Sequence, residues 1–347
     1  MDRCGWKSFG RVLAGYALLT AVLPLLCAAA VSGRVAERFA AQGGMPLTEG
    51  ADAPQEQELS QTPAQEPART VLLWDAAQET LLELPAEEYL LGAAASEMPQ
   101  SYPDEAIKAQ ITATRSYYEY CRENACFDLP EGAVLQVDTA KREGYLTPEV
   151  RSQLWGEWEQ QNTQRMEALV EQTAGVLVRY RGKAASTTYY AQSAGSTADA
   201  KDVWGKEVPY LVSVDSAQDR QAEGWQQTVT FTYQQMYDVL STRFVGLDLS
   251  GDPGGWFGKA ERTPQGYVTR LQAGGAWLQA ADLRTFLGLR STCMEITAGD
   301  GVFAVTTQGY GHGVGMSQYG ACIMAQNGAD FTEILQHYYP GTELSGL

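Results

Sequence analysis

A chain of 347 residues, 44% hydrophobic and 10% aromatic, can bury one large core or two smaller ones, and this composition excludes general disorder. Its formal net charge of −17 argues against nucleic acid as a partner, because phosphate binding needs a basic footprint, and it disfavours general adhesion to anionic membranes or wall polymers. An anionic ligand would have to be met by a local basic cluster.

Residues 1–39 form the first segment. Arg3, Lys7 and Arg11 precede an almost uninterrupted apolar run from Val12 to Gly33, enough to span a bilayer, which takes about 20 residues. The basic flank places the N-terminus in the cytoplasm and the rest outside, as a single-pass protein of the cell membrane. A cleaved signal peptide, with Ala28, Ala29 and Ala30 as its small-residue site, is the competing reading. The run exceeds a typical signal core of about 7–15 residues, which favours the anchor, and both readings export the remainder. Residues 40–69 are rich in Gln, Glu and Ala, with Pro46, Pro54, Pro63 and Pro67, the composition of a flexible acidic tether.

The folded domain is expected over residues 70–347. Thr70–Trp74 reads as a strand with a hairpin partner at Thr80–Leu84. Pro85 opens a helix whose first turn carries Glu87 and Glu88, as a helix N-terminus prefers, and Pro99 stops it. Pro103 and Asp104 start a second helix that runs to about Glu119. Residues 150–174 read as helical. Strands are expected at Val176–Tyr180, Lys183–Tyr190 and Thr228–Tyr233, then a helix at Gln234–Arg243 and glycine-rich turns at Gly251–Gly258. Hairpin strands Tyr267–Ala273 and Ala276–Ala280 lead to a helix at Ala281–Leu287. A strand at Val302–Thr306 then runs into a glycine-rich stretch, and two short helices close the chain. Helices and antiparallel hairpins are segregated without steady βαβ alternation, which predicts an α+β fold.

Four of the six cysteines lie beyond the first segment: Cys121, Cys126, Cys293 and Cys322. They are too few for a disulfide scaffold, although one or two bridges fit, and pairing is not readable from sequence. Cys121 and Cys126 lack CxxC spacing and have no histidine nearby, so they read as free or buried thiols. The chain holds only His312 and His337, which rules out a histidine-rich zinc site. No metal and no cofactor is expected.

Glu97 is the most informative residue. It ends a helix, where the dipole disfavours a carboxylate, and its neighbours Ala93, Ala94, Ala95 and Ser96 offer no counter-charge. Apolar surroundings and the dipole favour the proton-bearing form that a general acid needs. A solvated surface glutamate is the alternative from spacing alone. Lys108 and Arg115, seven positions apart on one helix face, are candidates for the local basic patch or for a solvated face. From Gly309 to Gly320, glycines at every second position surround Tyr310 and His312, so the backbone can pass close to something bulky. Ser317 and Gln318 then begin a helix suited to hydroxyl-rich or anionic ligands. Ligand contact by Tyr310, His312, Ser317, Gln318 and Tyr319 competes with a tight packing loop. Ser193 and His312 could meet as a nucleophile pair, but no nucleophile-elbow signature accompanies them.

Together these segments resemble the stage II sporulation protein D family of lytic transglycosylases. The matching residues are Leu84–Tyr89 with Ala95–Pro99, Ala106–Gln110 with Ala113–Tyr117, Val203–Gly205 before Pro209–Leu211, Leu287–Thr292, and Gly309–Ala321 with Ile334, Leu335 and His337–Thr342. They stand in consistent order across residues 70–343. The resemblance implies cleavage of the bond between N-acetylmuramic acid and N-acetylglucosamine in peptide-stripped glycan strands, leaving 1,6-anhydromuramyl ends, with a wall amidase and a membrane scaffold as partners in forespore engulfment. It implies that Glu97 is the single catalytic acid and base, and that Ser193, Gly195 and Thr197 contact substrate. Where the family often has Ser-Gly-Gly-Lys-Thr, this chain has Ser193-Ala194-Gly195-Ser196-Thr197. The loop from Cys126 to Gln136 lacks the histidine through which some relatives hold zinc, and Asp138 stands where the family usually has Tyr. The same resemblance admits a non-catalytic, wall-binding amidase enhancer. A substrate groove between Glu97 and His312 is expected.

Overall fold

A computed structural model describes residues 70–346. The expected anchor (1–39) and tether (40–69) lie outside the described residues, among which no helix is long and apolar enough to cross a membrane. The fold is α+β, with small, mainly antiparallel sheets.

Strands β1 (Thr70–Asp75) and β2 (Thr80–Pro85) form the expected hairpin. Helix α1 (Ala86–Glu97) leaves β2 without a loop: Pro85 sits at φ −54° and ψ 140° as the residue preceding the helix, and Glu87 and Glu88 fill the first turn. Helix α2 (Asp104–Asn124) extends five residues beyond the expected end, to a left-handed Ala125. Its Ile107, Ala109, Ile111 and Ala113 are fully buried, and α2 is the axis on which the rest of this core packs. Strand β3 (Leu135–Val137), not anticipated from its three residues, adds in parallel to β1.

Residues 150–174 do not form one helix. Gly156 turns at φ +52° and separates α3 (Pro148–Trp155) from α4 (Glu159–Gln172). The expected strand over 183–190 is likewise broken. Strand β4 (Leu177–Tyr180) pairs with β5 (Lys183–Ala184), after which Ser186 N–H donates to the Tyr210 hydroxyl (2.8 Å) and Thr187 Oγ1 to the Ala113 carbonyl (2.7 Å). The chain is thereby pulled onto α2 before β6 (Tyr189–Tyr190), which has a different partner. Helix α5 (Ala200–Trp204) follows.

A second set of buried apolar side chains gathers between residues 231 and 305. It is built from β7 (Gln226–Thr232), α6 (Tyr233–Arg243) with a Thr232–Gln235 capping box, and the β8 (Phe257–Arg262), β9 (Val268–Ala273) and β10 (Ala276–Gln279) sheet. Helix α7 (Ala280–Leu287) and strands β11 (Met294–Gly299) and β12 (Val302–Gln308) complete it. Phe303 is its aromatic centre, touched by Tyr233, Trp256 and Phe257. A cavity of about 490 Å³ bounded by Tyr237, Phe244 and Leu249 belongs to this part and does not involve Glu97.

The chain then returns to the first core. Strand β13 (Met316–Ser317) pairs in parallel with β6, Met316 opposite Tyr189 and Ser317 opposite Tyr190. Helices α8 (Gln318–Gln326) and α9 (Phe331–Tyr338) pack on α2, and β14 (Glu343–Ser345) closes on β4. That short parallel pair carries the glycine-rich segment to the end of α1.

Candidate active site

Glu97 is the last residue of α1, and the helix ends there because Met98 turns extended before Pro99. The side chain is half-buried, with Met98 and Ala94 in the core beside it. Burial raises the Glu97 pKa above the usual carboxylate range; the Gln318 amide pulls it back and the Glu143 charge adds to the rise. The helix dipole acts in the same upward direction. The result is a carboxyl group biased toward its protonated form, which a general acid requires.

Gln318 donates through Nε2 to Glu97 Oε2 (3.3 Å) and to Gln110 Oε1 (3.3 Å), and Gln110 donates to Thr114 Oγ1 (3.2 Å). This relay fixes the orientation of each amide. Tyr189 stands against the same group: burial and then the Glu97 charge hold its phenol above its ordinary value, and Thr114 and Gln110 hydrogen-bond to it. Glu97 is therefore faced by the Gln318 amide and by a phenol that stays protonated.

Ser317 and Gln318 are placed by a buried acid that the sequence does not advertise. Asp219 accepts from Ser317 Oγ (2.6 Å) and from Ser193 N–H (2.5 Å), while Ser317 Oγ also caps α8 by accepting from Gly320 N–H (3.2 Å). Burial pushes the Asp219 carboxyl up, and the Ser317 and Ser193 donors counter it.

The glycine-rich segment does approach bulky neighbours, but they are the protein's own. A Cβ on Gly315, at φ +83°, would lie 2.0 Å from the Thr188 carbonyl oxygen, and one on Gly313, at φ +89°, would lie 2.7 Å from the Tyr267 ring. His312 is wedged between Tyr190 and Trp204, each ring centre 5.3 Å away. Its Nδ1 accepts from Val314 N–H (3.2 Å), so Nε2 carries the proton and donates to the Tyr189 carbonyl (3.1 Å). Burial, followed by the Arg284 charge, pushes its pKa down to about 4, so the ring is neutral at physiological pH. Both nitrogens are engaged, and the Ser193 hydroxyl is buried against the Ser216 carbonyl (3.3 Å). The Ser193–His312 pair is therefore not formed.

The other sequence candidates divide. Gln318 meets Glu97; Tyr310 is exposed and Tyr319 half-buried, its N–H bound to Ala191. Lys108 and Arg115 do not make the expected basic face. Lys108 is paired with Glu105, and its ammonium lies over Phe331 (5.4 Å). Arg115 points inward, donating to the carbonyls of Thr173 (2.6 Å) and Val176 (3.2 Å), and burial lowers its pKa to about 10. Thr197 is buried and accepts from Val214 N–H (2.8 Å), and Gly195, at φ +113°, lies under the Arg220 guanidinium. Ser193, Gly195 and Thr197 are all buried rather than presented at the surface. Cys121, Cys126, Cys293 and Cys322 are buried and unpaired.

Three residues at the site escaped the sequence reading: Gln110, Tyr189 and Asp219. Gln110 and Thr114 left a signal, two polar residues four apart on the face of α2 that also carries Ile107 and Ile111. Asp219 left none, because it lies in a single 3₁₀ turn (Ala217–Gln221) and acts on residues 26 and 98 positions away.

An α+β protein that holds one desolvated carboxyl group at a helix terminus, faced by a glutamine amide from a distant glycine-rich segment, is what this fold and site define. The model of the family described as Stage II sporulation protein matches residues 75–180. Stage II sporulation protein D of Bacillus amyloliquefaciens is 31% identical over 334 residues, covering 96% of this chain and 94% of that one. Its namesake in Bacillus subtilis (strain 168) is also 31% identical, covering 80% and 79%. An amidase enhancer of Bacillus subtilis (strain 168) is 27% identical, covering 74% of this chain and 40% of its own length. The chain belongs to the stage II sporulation protein D family.

Proposed function

We propose that this protein is a peptidoglycan lytic transglycosylase that cuts N-acetylmuramic acid–N-acetylglucosamine bonds in peptide-stripped strands. Its place would be the outer face of the cell membrane, held by residues 1–39, during forespore engulfment, alongside a wall amidase and a membrane scaffold. The supporting observation is Glu97: a carboxyl group whose pKa burial raises, at the negative end of α1, with Gln318 on one oxygen.

A single carboxyl suffices when the nucleophile is internal to the sugar. Neutral Glu97 gives its proton to the glycosidic oxygen as the bond from C1 of the muramoyl residue breaks. The resulting carboxylate then takes the proton of that residue's C6 hydroxyl as its oxygen bonds to C1, closing the 1,6-anhydro ring and restoring the acid. No water enters, so the second carboxylate that hydrolases use has no role here. Gln318 holds the Glu97 side chain and stabilises its charged form between the two transfers. The test is release of 1,6-anhydromuramyl ends from peptide-free strands by the purified protein, and a product with a reducing end instead would refute the reading.

The likeness to a protein named amidase enhancer supports a second reading, a wall-binding module that activates another enzyme. Under it, the protein binds strands and stimulates an amidase without releasing any anhydro product.

A further inference from the structure

The anionic-ligand problem posed by the −17 charge is not solved by Lys108 and Arg115, whose charges are committed elsewhere. Arg290 is placed differently. The Arg290 guanidinium lies over the Tyr310 ring at 4.5 Å, donates through Nη1 to the Gly224 carbonyl (2.7 Å) and through Nη2 to Gln192 Oε1 (3.3 Å). Among the described residues no carboxylate forms an ion pair with it, in a chain with 42 acidic residues.

The backbone fixes this platform. Tyr310 exchanges both main-chain hydrogen bonds with Gln192, and Gly311 N–H donates to the Arg290 carbonyl (2.9 Å). Arg284 adds a second guanidinium, donating through Nε to that same carbonyl (3.2 Å). Tyr310 is 47% exposed with Arg290 over one face of its ring. The two Nη groups carry four N–H bonds, of which Gly224 and Gln192 take one each, and a half-exposed ring capped by such a guanidinium suits a sugar that carries a carboxylate.

We propose that Arg290 and Tyr310 form a subsite for an N-acetylmuramoyl residue whose lactyl carboxylate is free, Arg290 taking the carboxylate and Tyr310 the sugar ring. This rests on the glycan reading above and gives it a physical basis for preferring peptide-stripped strands: a stem peptide converts that carboxylate into an amide and removes the charge. Guanidinium–carboxylate pairing is directional and charge-assisted, so discrimination follows from that one functional group.

The test uses the full chain carrying Glu97→Gln to prevent turnover. Titration calorimetry compares an alternating N-acetylglucosamine–N-acetylmuramic acid tetrasaccharide with free lactyl carboxylates against its methyl ester. The acid is expected to bind about 10- to 100-fold more tightly, the range of a hydrogen bond to a charged group. Adding Arg290→Gln should abolish the difference by weakening the acid alone, and Arg290→Lys should keep part of it, with melting curves confirming that each variant is folded. Equal binding of acid and ester with Arg290 intact overturns the proposal and leaves the glycan reading standing. Equal weakening of both ligands by Arg290→Gln assigns Arg290 a structural role and also overturns it. If neither ligand binds with Arg290 intact, the glycan reading fails and the subsite with it. Should Arg290→Gln not fold, the acid–ester comparison with Arg290 and with Lys at this position decides.

Discussion

The Gln318 side-chain amide lies 3.3 Å from Glu97 Oε2 and joins residues 221 positions apart, the end of α1 to the start of α8. It is the only side-chain hydrogen bond recorded to Glu97 among the described residues, and it lowers the pKa that burial raises. The acidity and the position of the carboxyl group therefore depend on the glycine-rich segment being correctly seated.

Replacing Glu97 with Gln should reduce glycan cleavage by about 10²- to 10⁴-fold, the usual contribution of general acid–base catalysis, while leaving binding in place. Folding should be preserved. A carboxyl group whose folded pKa is raised binds more protons folded than unfolded, so its contribution to stability declines as pH rises through the unfolded value and toward the folded one. Glu97→Gln should therefore match the parent near pH 4 and melt slightly higher near pH 8. Product release and melting curves at both pH values check the two halves.

Gln318→Leu removes the donor that stabilises the charged form, so the Glu97 pKa should climb further. In a pH–rate profile, the alkaline fall that reports loss of the neutral acid should move to higher pH. Because Gln110 Oε1 also loses its partner, stability should drop by about 1–3 kcal/mol. A profile that moves to lower pH would show that Gln318 does not govern this proton.

Gly315→Ala should be costly although the nearest atoms to its new methyl belong to Thr188 and not to Glu97. The backbone there is at φ +83°, and the new methyl would stand 2.0 Å from the Thr188 carbonyl oxygen. Overpacking of this kind costs about 1–3 kcal/mol, and the shift needed to relieve it runs directly into β13 and Ser317. Denaturant unfolding should show the loss, and the cleavage rate should fall with it as Gln318 is displaced.

Cleavage should survive treatment with a strong metal chelator. His312 has both ring nitrogens engaged by Val314 and Tyr189, and His337 Nε2 is bound to the Asp215 carbonyl at 2.8 Å. Among the described residues no group of three or more His, Cys, Asp or Glu side chains could hold a metal ion. Activity lost with chelator and restored by zinc would refute this.

The α+β class and most of the elements follow from local chemistry. Pro85 and Pro103 mark the starts of α1 and α2, Thr232 with Gln235 starts α6, and hydrophobic alternation marks β1, β9 and β12, all of which are short-range signals. Glu97 was legible for the same reason: its unfavourable place on a helix dipole is a property of its own segment. The tertiary structure alone decided the rest. Arg115 reads as a surface cation by spacing, but the packing of α4 and β4 presents the carbonyls of Thr173 and Val176 to it, and it turns inward. The glycines at 313 and 315 announce close approach without saying to what; Tyr267 and Thr188 supply the answer from other parts of the chain. Asp219, Tyr189 and Arg290 gain their contacts only through partners brought together by β6, β13 and the isolated bridge between Gln192 and Tyr310. Hydrophobic period and capping act over a few residues and are written into the sequence. The seating of Gln318 on Glu97 is a contact between segments 221 positions apart, and the fold of the intervening chain decides it.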